Sequence, residues 1–273
     1  MKKIIYVFIL LVGAFSLIGC SASNQKLNKI LEKGEIVVIT SPDYAPFEFI
    51  DESKNGNDKY VGADIELMKY IASELGVNLK IEVADFNTTL ASLSLGTVDL
   101  AISGYTYKAE RAENYEMSAG YYDEGNQGIL ILKEELNNYG SFSKLNVKGI
   151  KVGAQAGSLQ ADYLDNQLTS LTVEQFDTIP NGIALLDNKI IKGVAMPEKV
   201  AEIIISKHPD KYLFLDDKFV VNREDVELFV FAKKGEIDLI NKVNEIINKV
   251  KDQNLYEKWD KEATELAMSL GLL

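Results

Sequence analysis

The sequence predicts an α/β fold with two lobes, each built on a largely parallel sheet. Strand-like and helix-like segments alternate along most of the chain, which is typical of α/β proteins. The alternation forms two series of similar size, over residues 36–102 and 129–206. No Gly/Ser-rich or Pro-rich linker separates the two series. We therefore expect two crossover segments between the lobes, near residues 122–128 and 219–223.

The first series is a β-α-β-α-β unit. Its strands are predicted from short apolar, β-branched runs at residues 36–39, 79–83 and 98–102. Helical spacing of apolar residues predicts one helix between Asp64, a candidate N-cap, and Gly76. A shorter helix is expected over residues 88–95.

The second series predicts another lobe, and the last third of the chain returns to the first. The strands of the second series are expected at residues 129–132, 151–154, 171–176 and 193–196. Its helices are expected from Ser158 and over residues 181–187 and 198–206. A strand over 226–232 and two amphipathic helices, 237–250 and 255–270, then follow. Lobe 1 is expected to comprise residues 29–122 and 223–273, and lobe 2 residues 127–219.

The N-terminus carries the pattern of an export signal. Lys2 and Lys3 precede an apolar run that is shorter than the roughly 20 residues a membrane span needs. Cys20 is the only cysteine, so an intramolecular disulfide is impossible. The residues around Cys20 resemble a bacterial lipobox, which implies a signal peptide over 1–19, lipidation of Cys20 and a polar tether over 20–28. The expected location is extracytoplasmic, with the lipid anchor in the bacterial cell membrane.

The charge balance argues against two classes of partner. The formal net charge is -12 at pH 7, and removing the two lysines of residues 1–19 makes it -14. Nucleic acids and anionic membrane surfaces both require a basic face. We therefore expect no nucleic-acid partner, while the charge says little about a small ligand.

Several sequence blocks, in order along the chain, carry a family resemblance. The blocks cover residues 44–49, 60–67, 85–86, 95–100, 102–106, 110–111, 121–122, 149–158 and 256–259. In these blocks the chain resembles the extracellular solute-binding proteins of polar-amino-acid ABC transporters, a group that includes glutamine, basic amino acid and cystine receptors. The resemblance implies a type II periplasmic-binding-protein clamp that closes on an amino acid and delivers it to a membrane permease and ATPase. It implies a monomer without cofactor or metal.

Arg111 is the strongest candidate ligand residue. A carboxylate buried in a closed cleft needs a permanently charged, bidentate donor, which arginine supplies and lysine does not. The chain has only two arginines, and Arg111 follows a predicted strand and the turn Ser103-Gly104. From composition alone a surface arginine paired with Glu110 or Glu113 is favoured. The spacing Ser-Gly-x-Thr-x-x-x-x-Arg, shared with the family, favours the ligand role.

The remaining candidates for ligand binding lie at strand ends in both lobes. Thr106 either donates its hydroxyl to the same carboxylate or caps a helix at Tyr107. In the second lobe, Gln155, Gly157 and Ser158 lead into a helix whose free amides attract anions. The resemblance places Tyr44 and Phe86 as aromatic walls around the ligand.

Two positions bear on the identity of the ligand. Ser41 matches a position where relatives that bind basic amino acids carry an aspartate, so we expect a neutral polar side chain on the ligand. Relatives place the acid that neutralises the ligand's ammonium where Pro197 stands here. Either Glu198, one residue later, takes that role, or the amine is bound differently.

Two other functional classes remain open from the sequence. A cleft enzyme of the same fold, such as a dehydratase of a small carboxylic acid, needs a poised acid or base, and the single histidine, His208, lies in a predicted surface turn. A sensor or adhesin module that uses the same clamp is the other alternative. We expect a receptor without catalytic activity.

Overall fold

The structure, a computed structural model, describes residues 25–271. The predicted export signal and Cys20 lie outside these residues. Helix α1 begins at Gln25, with Ile30 buried and Leu27 packed against the core. Residues 25–28 of the predicted polar tether are the first four residues of α1, in which Leu27 packs against the core.

The secondary structure alternates as the sequence predicts. In chain order the strands are β1 Glu35–Thr40, β2 Phe49–Ile50, β3 Tyr60–Val61, β4 Asn78–Val83, β5 Leu100–Ala101, β6 Tyr115–Met117, β7 Tyr122–Asp123, β8 Gln127–Leu132, β9 Lys151–Gln155, β10 Thr172–Phe176, β11 Val194–Pro197, β12 Tyr212–Lys218, β13 Glu227–Leu228 and β14 Phe231–Lys233. The α-helices after α1, which ends at Lys33, are α2 Ala63–Leu75, α3 Phe86–Leu95, α4 Ala109–Asn114, α5 Leu136–Tyr139, α6 Phe142–Leu145, α7 Leu159–Gln167, α8 Ile179–Asp187, α9 Glu198–Lys207, α10 Ile237–Asp252 and α11 Leu255–Leu270. None of the helices within 25–271 is both long and apolar enough to cross a membrane.

Each lobe contains one five-stranded mixed sheet. In lobe 1 the strand order is β4-β1-β5-β14-β6, with β1 parallel to β4 and β5. In lobe 2 the order is β10-β9-β11-β8-β12, with β9 parallel to β10 and β11. Strand β14 in lobe 1 and β8 in lobe 2 run antiparallel to both of their neighbours. The two parallel cores confirm the α/β class.

The chain passes between the lobes twice. It leaves lobe 1 through β7 and returns through β13, and these two short strands pair antiparallel as a ribbon. The sequence predicts a single strand over 226–232, whereas the structure divides this segment between β13 and β14. The division follows from hydrogen bonding, because the Phe229 amide donates to the Tyr105 carbonyl at 2.7 Å and the Val230 amide donates to the Ser118 hydroxyl at 2.9 Å.

Helix α2 begins differently from the prediction. Its N-cap is Gly62, at φ 130°, and not Asp64. A side chain at residue 62 would place its Cβ 2.1 Å from the Phe47 carbonyl oxygen, so only glycine fits there. The predicted capping role of Asp64 is wrong, because its carboxylate is fully buried and points into lobe 1.

Candidate functional site

The sequence-predicted candidates lie mostly at the carboxyl ends of central strands, on facing edges of the two lobes. Ser41 directly follows β1, while Ser103 and Gly104 follow β5. Gln155 ends β9, and Gly157 is the second residue after it. Ligands of open α/β sheets bind at these ends, because the loops there diverge and leave a crevice.

A small cavity between the lobes collects six of the eleven candidate residues. Its volume is about 20 Å³, which accommodates about one water molecule. It is lined by Tyr44, Phe86, Gly104, Thr106, Glu124, Gln155, Ser158, Leu159 and Gln160. The cleft is therefore closed, and a ligand enters only when the lobes separate.

Arg111 is buried where the lobes meet. It is 7% exposed, and its guanidinium donates from Nη1 to the Thr106 carbonyl at 2.8 Å and from Nη2 to the Gly157 carbonyl of lobe 2 at 2.9 Å. Burial lowers the pKa of Arg111 from its ordinary value, although an arginine stays charged in proteins. The alternative of a surface arginine paired within its own helix is wrong.

Two aromatic rings lie against the Arg111 charge, and one of them, Phe86, also lines the cavity. The guanidinium carbon lies 5.5 Å from the centre of the Phe86 ring and 5.3 Å from that of Tyr105. Such contacts stabilise the cation. A pocket of about 390 Å³ on the outer side of Phe86 reaches Arg111, Lys108 and Gly157 from solvent.

The Thr106 and Gly157-Ser158 segments contact Arg111 through carbonyl groups. Helix α4 begins at Ala109 with Lys108 as N-cap, so the predicted helix cap by Thr106 is wrong. The Ser158 hydroxyl caps α7 by accepting from the Ala161 amide at 3.2 Å. Gly157 faces Arg111 with its carbonyl oxygen, at a positive φ of 78° that glycine adopts without strain.

Ser103 and Gly104 connect the cleft to two buried acids beneath it. The Ser103 hydroxyl donates to Glu48 at 2.8 Å, and the Gly104 amide donates to Asp64 at 2.8 Å. Burial raises the pKa of both carboxyl groups, that of Glu48 well above its ordinary value. The neighbouring Asp64 charge also raises the pKa of Glu48. Oε2 of Glu48 is buried and has no hydrogen-bond partner among the described residues.

Asp64 is held by a set of donors from distant parts of the chain. Tyr256 donates its hydroxyl to Asp64 Oδ1 at 2.6 Å, and Tyr121 donates to the same oxygen at 2.8 Å. With the Gly104 amide, these donors stabilise the ionised carboxylate. The Glu48 and Asp64 pair thus fixes the Ser103-Gly104 turn from below.

Ser41 reaches the cleft through Asp43, which the sequence analysis did not single out. The Ser41 hydroxyl donates to Asp43 Oδ1 at 2.6 Å, while Asp43 Oδ2 accepts from Gln155 Nε2 at 3.1 Å and from the Ile179 amide at 2.9 Å. Burial raises the pKa of Asp43, and these three hydrogen bonds oppose the rise. Asp43 belongs to lobe 1 and both Oδ2 donors belong to lobe 2, so this carboxylate fastens the closed cleft.

Lys108 adds a second fastening contact across the cleft. Its Nζ lies 2.8 Å from Asp162 of helix α7 and 3.3 Å from the Gly157 carbonyl oxygen. Together with Arg111 it places two cations of lobe 1 against the start of α7. These contacts join lobe 1 to lobe 2 across the cleft.

Glu198 lies apart from the cavity. Its carboxylate accepts from Asn126 Nδ2 at 2.7 Å and pairs with Lys218 at 3.2 Å, with a third of the side chain exposed. The Asn126 hydrogen bond lowers the pKa of Glu198. The structure therefore does not bring Glu198 together with the other candidates.

Three residues that line the cavity were missed by the sequence analysis, Glu124, Leu159 and Gln160, and Glu124 is the only charged one. It follows β7 on the crossover ribbon, is 4% exposed, and accepts a hydrogen bond from the Tyr44 hydroxyl at 3.0 Å through Oε1. Burial raises the pKa of Glu124 to about 8. Within residues 25–271 no group of three or more histidine, cysteine, aspartate or glutamate side chains is placed to hold a metal ion.

A sequence profile of the bacterial extracellular solute-binding proteins, family 3, matches residues 36–262. This chain belongs to that family. The match begins in β1 and ends within α11, so both lobes of a family 3 solute-binding protein are present.

Characterised members of family 3 show how this chain compares. It is 28% identical to the L-cystine-binding protein TcyJ of Escherichia coli over 87% of each chain. It is 34% identical to the arginine-binding extracellular protein ArtP of Bacillus subtilis, over 59% of each chain. The solved structure of AbpA, an amino acid ABC transporter substrate-binding protein from Streptococcus pneumoniae bound to L-arginine, is 33% identical, with a TM-score of 0.79 over 88% of this chain and 99% of that one.

Proposed function

We propose that this protein is the receptor of an amino acid ABC importer and captures one α-amino acid with a neutral polar side chain. The observation that carries the proposal is the buried Arg111. Only two of its five N–H groups have hydrogen-bond acceptors among the described residues, and both acceptors are uncharged carbonyl groups. A buried cation with spare donors favours a small anion, and the ligand's carboxylate supplies one.

Opening and closing of the lobes provides the capture mechanism. Separation removes the Gly157 carbonyl from Arg111 Nη2, and the ligand carboxylate binds there as a stronger, charge-assisted acceptor. The ligand side chain then lies between Tyr44 and Phe86. Closure re-forms the contacts of Lys108 and Asp43 with lobe 2, and it is favoured because the ligand contacts both lobes only in the closed state.

The neutrality of the ligand side chain follows from the acids near Ser41. A basic side chain needs a carboxylate with an unoccupied oxygen, because an unpaired buried cation is costly. Asp43 is the nearest acid to Ser41 along the chain, and both of its oxygens already accept hydrogen bonds in the closed cleft. The relatives named for arginine, histidine and cystine make those ligands necessary members of any binding test.

The route of delivery rests on the N-terminal motif. The proposed lipid on Cys20 holds the monomeric receptor at the outer face of the membrane, beside its permease and ATPase. Cys20→Ser is expected to release the protein into the medium, as measured by immunoblotting of membrane and soluble fractions. A variant that stays in the membrane fraction would contradict the anchor.

The binding proposal is tested by calorimetry on the full-length protein purified in detergent, after removal of co-purified ligand. We expect one site for a neutral polar amino acid, weaker binding of arginine and histidine, and recovery of the ligand unchanged. Arg111→Ala removes the carboxylate partner, and Arg111→Lys is the control that keeps the charge without the bidentate fork. Tighter binding of arginine would overturn the neutral side chain, and consumption of the ligand would favour the dehydratase alternative.

A further inference from the structure

The acid that holds the ligand's amino group is not at the position that the sequence suggests. Pro197 occupies that position, and Glu198 is engaged by Asn126 and Lys218 away from the cavity. An α-ammonium group brought into a closed cleft nevertheless needs a counter-charge. The acid must lie close to the carboxylate site, since the two charged groups of an α-amino acid share one carbon atom.

The arrangement of Glu124 meets this requirement. It lines the cavity between the lobes together with Gly104 and Thr106. Arg111 donates to the carbonyl group of Thr106 and interacts electrostatically with Glu124. Its Oε1 accepts from Tyr44, whereas its Oε2 is buried and has no hydrogen-bond partner among the described residues. A buried carboxylate oxygen without a donor is unfavourable unless something else binds it.

The other acids of the region lack this combination. Both oxygens of Asp43 accept hydrogen bonds, and Asp64 accepts from Gly104, Tyr121 and Tyr256 below the cleft. Glu48 accepts from Ser103 through Oε1, and its Oε2 also has no donor among the described residues, but Glu48 does not line the cavity. Among the residues that line the cavity, Glu124 is the only acid.

We propose that Glu124 binds the ligand's α-ammonium group through Oε2, opposite the carboxylate site at Arg111. This inference rests on the proposed function, because it presumes an α-amino acid in the cleft. It adds a specificity-determining residue on the crossover ribbon, which connects the two lobes. It also limits the ligand to one cationic group, because no second acid in the cavity has a free oxygen within residues 25–271.

The surroundings of Glu124 disfavour its ionised form in the ligand-free protein, and a bound cation would stabilise that form. Burial is the largest cause of its raised pKa, Asp64 and Asp123 raise it further, and Arg111 and the Tyr44 hydrogen bond lower it. The groups that interact with Glu124 electrostatically are Tyr44, Asp64, Arg111, Tyr121, Asp123 and Tyr163. Without ligand the carboxyl group is mostly protonated at neutral pH, and an arriving ammonium group displaces the proton.

The test compares the binding of two ligands to the wild-type protein, to Glu124→Gln and to a control variant. The best-bound amino acid is measured beside its des-amino analogue, the same acid with hydrogen in place of the α-ammonium, by calorimetry or by displacement at millimolar concentration. Glu124→Gln keeps the shape of the side chain and an oxygen for the Tyr44 hydroxyl. Glu227→Gln, the same change at an acid of the paired strand β13 that does not line the cavity, is the matched control.

The expected result is a selective loss. Glu124→Gln lowers affinity for the amino acid by roughly 100-fold or more, lowers affinity for the des-amino analogue by less than about threefold, and leaves the thermal unfolding transition cooperative. Glu227→Gln changes neither affinity appreciably. An equal loss for both ligands, or none for the amino acid, would overturn the role of Glu124 while leaving the receptor function intact. Failure of the wild-type protein to bind any amino acid would instead overturn the proposed function.

Discussion

Ligand affinity should depend on pH through Glu124. The perturbation is a change from pH 6 to pH 8, measured on wild-type protein and on Glu124→Gln. In the ligand-free protein the pKa of Glu124 is raised to about 8 by burial. With a bound ammonium group beside it, the pKa falls well below 6, because an opposite charge in contact favours the ionised form.

The magnitude follows from the fraction of protein whose Glu124 is already ionised. A group with a pKa of about 8 is roughly 1% ionised at pH 6, about 9% at pH 7 and about 50% at pH 8. Binding at low pH must remove a proton, so affinity rises with pH. The rise should be about tenfold between pH 6 and 7 and roughly 50-fold between pH 6 and 8.

The assay is calorimetry at fixed ionic strength in buffers of different ionisation enthalpy, which counts the protons released on binding. His208→Gln is introduced into both proteins so that no imidazole contributes. At pH 7 we expect release of about 0.9 proton per ligand in the wild-type background and none attributable to residue 124 in Glu124→Gln. An affinity that does not depend on pH, or the same dependence of affinity on pH in both proteins, would contradict the role of Glu124.

Four further predictions concern single residues. Arg111→Ala should lose about 3 to 5 kcal/mol of binding free energy by calorimetry, because the ligand carboxylate would stay buried without its partner; near-wild-type affinity would show that the site is misplaced. Glu198→Gln should leave ligand affinity unchanged within about twofold, and a large loss would restore the ammonium role to Glu198. In the ligand-free protein, the thermal unfolding midpoint of Glu124→Gln minus that of wild type should be larger at pH 8 than at pH 5. The pKa of Glu124 is raised to about 8 in the folded state, so the wild-type protein loses stability as pH rises from about 4.5 to about 8, and the variant does not; the same difference at both pH values would contradict the assignment. Gly62→Ala should destabilise the protein by several kcal/mol in urea unfolding, because its Cβ would overlap the Phe47 carbonyl and the φ of 130° is forbidden to alanine.

The order of elements and the α/β class could be predicted because they depend on local patterns. Apolar runs and helical spacing locate strands such as β1 and helices such as α11 to within a few residues. Arg111 was singled out through the spacing from the Ser103-Gly104 turn that the chain shares with the family, since composition alone favours a surface arginine. Its burial depends on Phe86 and Tyr105 and on the Gly157 carbonyl of lobe 2, which no local pattern indicates.

The acids of the cleft could not be predicted because their surroundings come from distant segments. Glu124 lies in Tyr-Asp-Glu-Gly, a pattern typical of an exposed turn. It is buried because β7 pairs with β13, which lies about a hundred residues later in the sequence. Asp64 has the local pattern of a helix cap, yet its carboxylate is held by Tyr256, which lies 192 residues away along the chain.

For Glu198 the local sequence pattern suggests a ligand-binding role, but contacts with distant residues hold its side chain away from the cavity. It stands one residue after the position expected for the ammonium partner and at the first turn of α9. Its charge is instead paired with Lys218 near the second crossover and with Asn126 on the first. Both contacts depend on how the crossovers pack, which a linear pattern does not encode.

The most direct measurement of the central claim is a crystal structure of the protein with its best-bound amino acid. The ligand carboxylate is expected within about 3 Å of the Arg111 guanidinium, and the α-ammonium within about 3 Å of Glu124 Oε2, with the lobes closed. A ligand bound elsewhere, or an ammonium group that contacts Glu198 while Glu124 faces only protein groups, would contradict this claim.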